Sequence, residues 1–351
     1  MFHFNSSPRM ANCHMFGIQI FLFISVFIQK TWCTDLKKYP MLMPNIHPYK
    51  DEFYVCTPIK IVPDKNFYIV GFEPNATMNV AHHMLLFGCS ALASFEEYWD
   101  CGEMSQSEPD SKLQKATPCA QGSQVVYAWA RNAKPLKLPE DVGFLVGKDT
   151  PIKYLVLQIH YTKKFPEGQT DNSGLFLLYT QRPQSKLAAV LLLAAGGRIP
   201  PKEITHMDVE CKINEDKVLH PFAYRTHTHT LGRVVSGYRV TREEGLDHWH
   251  LLGKRDPLTP QMFYPVFDQT PIKQGDKIAA RCTMNSATRD RYTDVGPTNN
   301  DEMCNFYLMY YVEKGTPLEI ASCYDVGPPN YYWRNNDDLN NIPEKEASSL
   351  Y

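Results

Sequence analysis

The chain has 351 residues, more than one average domain of ~100–200 residues, which leaves room for one large domain or two medium ones. Its 36 lysines and arginines nearly balance 38 aspartates and glutamates, and neither sign gathers into a long run, so no nucleic acid or other strongly charged partner is indicated. With 26 prolines, a mainly helical protein is disfavoured.

Near the start, Arg9 and a polar stretch precede the apolar run Phe16–Ile28, broken only by Gly17, Gln19 and Ser25. Such a run is short of the ~20 residues that cross a bilayer and matches the ~7–15 of a secretory signal. Residues 1–33 are therefore expected to be a signal peptide cleaved near Thr31–Trp32–Cys33, with a retained signal anchor as the alternative. Export to a secretory vesicle lumen or the extracellular space follows, with no membrane attachment after cleavage. The longest later apolar run, Leu187–Ala195, is too short to span a membrane.

Short apolar and β-branched runs come next: Asn66–Gly71, Gln124–Ala130, Tyr154–Tyr161, Gly174–Thr180, Arg233–Thr241 and Asn305–Val312. Gly, Pro, Asn and Asp separate them, and no helical period persists beyond two or three turns, so the expected fold class is all-β, made of antiparallel β-sandwiches. The polar break Lys163–Ser173 divides the chain into an expected first domain, 34–168, and a second, 169–334. Ser105–Pro118 reads as a polar loop, and residues 335–351, mostly Asn, Asp, Glu and Ser, as a disordered tail.

Of ten cysteines, Cys13 and Cys33 fall at the signal end, which leaves Cys56, Cys89, Cys101 and Cys119 in the first half and Cys211, Cys282, Cys304 and Cys323 in the second. An even number suits an oxidising compartment and two separately cross-linked halves. No Cys-x-x-Cys pair suggests a zinc ribbon. Asn75–Ala76–Thr77 makes Asn75 a candidate glycosylation site.

Five of the twelve histidines fall in three tight settings, His82–His83, Gln158–Ile159–His160 and His227–Thr228–His229. In a strand, side chains alternate, so His227 and His229 would project from one face with the geometry for two imidazoles on one metal; a surface pair in a Thr-rich strand is the plainer alternative. His82 and His83 would point to opposite faces unless a bulge or strand end intervenes. His160 alone reads as readily as a core or surface histidine, and His248–Trp249–His250 repeats the His-x-His pattern without other support. Imidazole suits copper, zinc or iron, while a thioether would select copper. No spacing singles out one of the thirteen methionines.

The segments Ala81–Cys89, Gln158–Tyr161, His227–Tyr238 and Asp301–Tyr311 together resemble the copper type II, ascorbate-dependent monooxygenases, in the family's order and across residues ~50–330. The resemblance implies two jelly-roll-like β-sandwiches facing each other across a cleft, each with one copper ion. It assigns His82, His83 and His160 to an electron-transfer copper, and His227, His229 and Met303 to a catalytic copper, with Tyr307 also beside the chemistry. Arg225 matches the family's substrate anchor, with Asn305, Tyr307 and Gln158 as further substrate contacts; without the resemblance, Arg225 would read as a surface charge and Gln158 as a structural glutamine. The disulfides implied are Cys56–Cys101, Cys89–Cys119, Cys211–Cys323 and Cys282–Cys304.

Within the family the resemblance is strongest to members that hydroxylate the α-carbon of C-terminal glycine in glycine-extended peptides, using dioxygen and electrons from ascorbate, as the first step of amidation. A catecholamine-type β-hydroxylase and a non-catalytic extracellular copper-binding sandwich are the competing readings. A separate lyase is expected to complete amidation. Two departures stand out: where the family commonly has a further cysteine after the third histidine, this chain has Ser173–Gly174, and the loop between Cys101 and Cys119 is long.

Overall fold

The computed structural model describes residues 35–102, 112–130, 132–296 and 300–351. The expected signal segment and most of the loop after Cys101 lie outside them.

Among the described residues the regular structure is nearly all strand, as the short apolar runs predict. In the first half an antiparallel sheet runs Trp99–Asp100, Phe53–Lys60, Tyr154–Tyr161, His83–Cys89 and Gln124–Ala130 in spatial order. Its central strand, Tyr154–Tyr161, is covered on both faces, which is why Tyr-Leu-Val-Leu-Gln-Ile-His-Tyr reads as one apolar run instead of alternating. A second sheet packs against it in the order Lys37–Leu42, Gly174–Thr180, Asn66–Asn75 and Val142–Gly147. Phe53, Phe72, Tyr127, Trp129 and Leu155 fill the space between the two.

Gly174–Thr180 therefore belongs to the first sandwich, although it follows the polar break taken as the domain boundary. It pairs with both Lys37–Leu42 and Asn66–Asn75, so the chain crosses to the second half only after Thr180. The position that lacks the family's extra cysteine is held by hydrogen bonds: Met43 N–H donates to the Ser173 carbonyl, and the Ser173 hydroxyl and N–H both donate to the Asp171 carboxylate.

The two halves share a sheet. Val142 and Gly143 pair in parallel with Lys186 and Leu187, and the order continues through Lys186–Ala195, Cys304–Val312, His220–His227 and Tyr264–Pro265. Opposite these lies an antiparallel sheet of Ile204–Lys212, Lys277–Asn285, Gly232–Glu243 and Leu246–Arg255. Gly237 in that sheet faces the Phe306 ring, where a Cβ would come within 2.2 Å of Cζ, so glycine lets the two sheets approach. The four disulfides are Cys56–Cys101, Cys89–Cys119, Cys211–Cys323 and Cys282–Cys304.

The C-terminal residues are not a disordered tail. Trp333–Asn335 forms a 3-10 turn and Glu344–Ala347 a short helix, and Trp333, Leu339 and Ala347 are buried against Tyr238, Val240 and Ala279 on the outer face of the second sandwich. Composition misleads here because the sheet supplies most of the apolar surface. The polar residues bond to strands: Asp247 N–H donates to Asn340 Oδ1 at 2.8 Å, Asn340 N–H donates back to Asp247 Oδ2 at 2.8 Å, and Glu344 pairs with Arg281. Among the described residues no helix is long and apolar enough to cross a membrane.

Candidate metal centres and the site between them

His83 opens the strand His83–Cys89 and lies directly opposite His160 in the neighbouring strand. His82 precedes the strand, with its N–H donating to the His160 carbonyl at 2.9 Å. A strand end thus resolves the opposed-faces problem, and one ring nitrogen from each of the three histidines lies within 4.8 Å of the others. His160 is buried, Tyr54 stacks on its ring at 4.0 Å, and its Nε2 lies 2.7 Å from the Glu52 carboxylate. Its Nδ1 is buried with no hydrogen-bond partner among the described residues. An imidazole locked through one nitrogen, with the other bare beside two more imidazoles, suits a metal such as copper.

The second group is assembled differently. The strand His220–His227 stops at His227, so His229 lies in the following loop and the same-face argument for a His-x-His strand does not apply. The pair still meets, with ring centroids 5.5 Å apart. His227 Nδ1 lies 2.7 Å from Gln261 Oε1, and His229 Nδ1 lies 3.0 Å from the Asp301 carbonyl, which leaves Nε2 of each ring as the nitrogen available to a metal. Met303 precedes the strand Cys304–Val312 and is buried beside His227. Two imidazoles and a thioether form a soft donor set that fits copper.

Glu302 ties these pieces together. Its carboxylate is fully buried and accepts the N–H groups of His229, of Leu231 at 2.6 Å and of Met303 at 2.9 Å. Burial raises its pKa, and the backbone donors work against that rise. The Cys282–Cys304 bridge anchors the residue after Met303. Burial also drives the proton affinities of His83 and His227 well below the ordinary imidazole value, with neighbouring histidines and Arg225 adding to the effect. Both rings are therefore neutral near pH 7, as metal ligation requires.

Arg225, opposite Tyr307 in the adjacent strand, is 2% exposed. Its Nε donates to the Gln261 carbonyl at 2.8 Å, its guanidinium lies 4.9 Å from the Tyr307 ring centroid, and one terminal nitrogen has no hydrogen-bond partner among the described residues. No carboxylate of the described residues pairs with it; burial lowers its pKa, and the charge and hydrogen bond of Tyr307 act against that. Asn305 Nδ2 lies 3.5 Å from the Tyr307 hydroxyl and 3.9 Å from Met303 Sδ. Gln158 is fully buried; its Nε2 donates to the Gly102 carbonyl at 2.8 Å, and its Oε1 lacks a partner among the described residues.

These side chains meet around one cavity of about 20 Å³, lined by His83, Leu85 and Gln158 from the first half and by Arg225, His227, Met303, Asn305 and Tyr307 from the second. An open cleft between the halves was expected; here Tyr307 and Met309 pack into the first core, and the space left holds about one water molecule. A larger cavity, about 910 Å³, lies near Tyr39, Phe95 and Tyr154, away from every histidine group. Asn75 is exposed at the end of its strand. His250 lies 3.4 Å from Thr241 Oγ1 and joins neither group.

Two family models match the chain: the N-terminal domain of copper type II ascorbate-dependent monooxygenases over residues 39–167 and the C-terminal domain over 186–336. The chain belongs to this family. It is 39% identical over 305 residues to peptidyl-glycine alpha-amidating monooxygenase A of Xenopus laevis, covering 86% of this chain and 31% of the relative. The mouse peptidyl-glycine alpha-amidating monooxygenase is 38% identical, with 88% and 30% covered. Human dopamine beta-hydroxylase is 28% identical, with 88% and 52% covered. The chain spans about a third of the length of the amidating relatives.

Sequence reading missed Glu302, Gln261, Glu52 and Tyr54. Two of them carry a local signal in hindsight, since Glu302 adjoins Met303 and Tyr54 lies two residues before Cys56. Gln261 and Glu52 carry none.

Proposed function

We propose that the chain hydroxylates the α-carbon of a C-terminal glycine in glycine-extended peptides, with one copper ion held by His82, His83 and His160 and another by His227, His229 and Met303. The observation that carries the substrate assignment is Arg225: a buried guanidinium without a carboxylate partner beside a thioether–imidazole group. A buried cation is costly unless an anion meets it, and a peptide's terminal carboxylate matches its fork. With that carboxylate on Arg225, the glycine α-carbon lies one bond away, next to His227 and Met303. A catecholamine would bring an ammonium group toward the same guanidinium, which disfavours the β-hydroxylase reading.

Bound copper would supply the one-electron chemistry that couples ascorbate oxidation to dioxygen reduction, one oxygen atom ending in the α-hydroxyl and the other in water. The chain's residues do the rest. Gln261 orients His227 and, through its carbonyl, also holds Arg225, so metal ligand and substrate anchor share one support. Tyr307 and Asn305 wall the space in which the glycine sits, and apolar packing around them excludes water. A peptide end needs more than 20 Å³, so substrate entry requires the two halves to part around Arg225. Four disulfides, a sequon at Asn75 and the apolar run Phe16–Ile28 support a secretory setting.

Mass spectrometry of a glycine-extended peptide incubated with protein, copper and ascorbate tests this. A gain of one oxygen is expected, abolished in Met303→Ile. Arg225→Ala should raise KM about 100-fold, as loss of charge-assisted hydrogen bonds worth ~1.5–3 kcal/mol requires. No gain despite two bound coppers per chain would overturn the peptide assignment, and no bound copper would overturn the metal assignment.

A further inference from the structure

Each second-group imidazole leans on a neutral acceptor, the Gln261 amide or the Asp301 carbonyl. In the first group, His160 leans on a carboxylate: Glu52 Oε2 lies 2.7 Å from Nε2. The arrangement is held from both sides. Glu52 adopts a left-handed backbone, φ +49°, uncommon for a residue with a side chain, and its N–H donates to the Thr162 carbonyl at 3.3 Å, two residues past His160. Across the ring Tyr54 stacks at 4.0 Å and 5°. The His160 ring is thereby fixed with Nε2 on the carboxylate and the buried Nδ1 toward His82 and His83.

We propose that Glu52 is a positioning residue of the first metal group: it holds His160 in the tautomer that would ligate through Nδ1 and strengthens that ring as a donor toward Cu(II). This rests on the copper reading above. A carboxylate bonded to the far nitrogen strengthens imidazole as a donor and favours the more highly charged Cu(II) ion. At the second group, the Met303 thioether favours Cu(I). Because Glu52 is about half exposed, water screens its charge, and the effect comes chiefly from the direct hydrogen bond.

The test uses the full secreted chain and the variants Glu52→Gln, which keeps size and an acceptor but not charge, and Glu52→Ala. Copper per chain, Cu(I) and Cu(II) affinities by chelator competition, and the Cu(II) electron spin resonance signal of each site are read without substrate turnover. The Ala variant is expected to lose ~10–100-fold in Cu(II) affinity at the first group, with the second group's signal unchanged. The Gln variant should hold copper more tightly than Ala while its first-group Cu(I):Cu(II) ratio rises about tenfold at a fixed ascorbate potential. Affinities and ratios equal to the parent's in both variants would overturn the proposal while leaving the function intact. A parent chain that binds no copper at His82, His83 and His160 would overturn both.

Discussion

His82, His83 and His160 are gathered by strand register, whereas His227, His229 and Met303 are gathered by side chains. In the first group, two ligands face each other across one antiparallel pair and the third is tied by a backbone hydrogen bond to the same strand. In the second, one ligand ends a strand and two lie in loops, braced by Glu302, Gln261 and a disulfide. A ladder spreads its constraint over many bonds; a brace concentrates it in a few buried polar atoms. The second group should therefore be the more easily broken by one substitution, and the more adaptable where an exogenous ligand must also bind.

The sharpest way to break this comparison is Glu302→Ala. It leaves three buried N–H groups without their acceptor, each costing ~1–3 kcal/mol, so the denaturant midpoint should fall by several kcal/mol equivalent and one copper per chain should be lost. The counterpart, Tyr54→Leu, removes only a ring stack worth ~0.5–1.5 kcal/mol, and both coppers should remain. Equal copper loss in the two variants would show that Tyr54 carries the geometry of the first group as Glu302 carries that of the second.

Gln261→Ala should have the next largest effect. Freed from Gln261 Oε1, His227 samples both ring orientations, and copper affinity at the second group should drop ~10–100-fold in a chelator titration while the first group's is unchanged. A drop at both would mean the two groups are coupled through the cavity they share.

The smallest effect concerns the C-terminal residues 333–351, anchored by the half-exposed Glu344 on the buried Arg281. Burial pushes the Glu344 carboxyl up, but the hydrogen bond and charge of Arg281 more than offset this and hold it below its usual range. A carboxyl with a depressed folded-state pKa contributes stability above its unfolded value of ~4.3 and loses it as pH falls through the lower folded value. Protection factors of the amides in residues 333–351, taken relative to the intrinsic exchange rate at each pH, should thus fall as pH is lowered from about 5 toward 3. In Glu344→Gln that acid dependence should largely vanish, and a segment that stays equally protected at both pH values in the parent would sink the idea.

Much of the architecture was legible before the structure: the buried strand Tyr154–Tyr161 reads as a single apolar run, and the three histidine settings mark where chemistry gathers. The order of the C-terminal residues 333–351 and the sandwich to which the strand Gly174–Thr180 belongs were not, because each is decided by the sheet the segment lands on, not by its own composition. Residues 335–351 look too polar to order, yet they need bury only a few side chains when the opposing sheet already presents Tyr238, Val240 and Ala279.

The sequence by itself determined the elements whose cause is local: strands from apolar and β-branched runs, breaks from Gly, Pro and Asn, and candidate metal donors from its clustered histidines. Only the tertiary structure decided which distant groups support them. Glu52 reaches His160 across 108 positions, Glu302 reaches His229 across 73, and Gln261 reaches His227 across 34. Such contacts are set by strand order and loop closure, which bring residues together irrespective of spacing. For the same reason the sequence names metal ligands, while the fold decides which ring nitrogen each one offers.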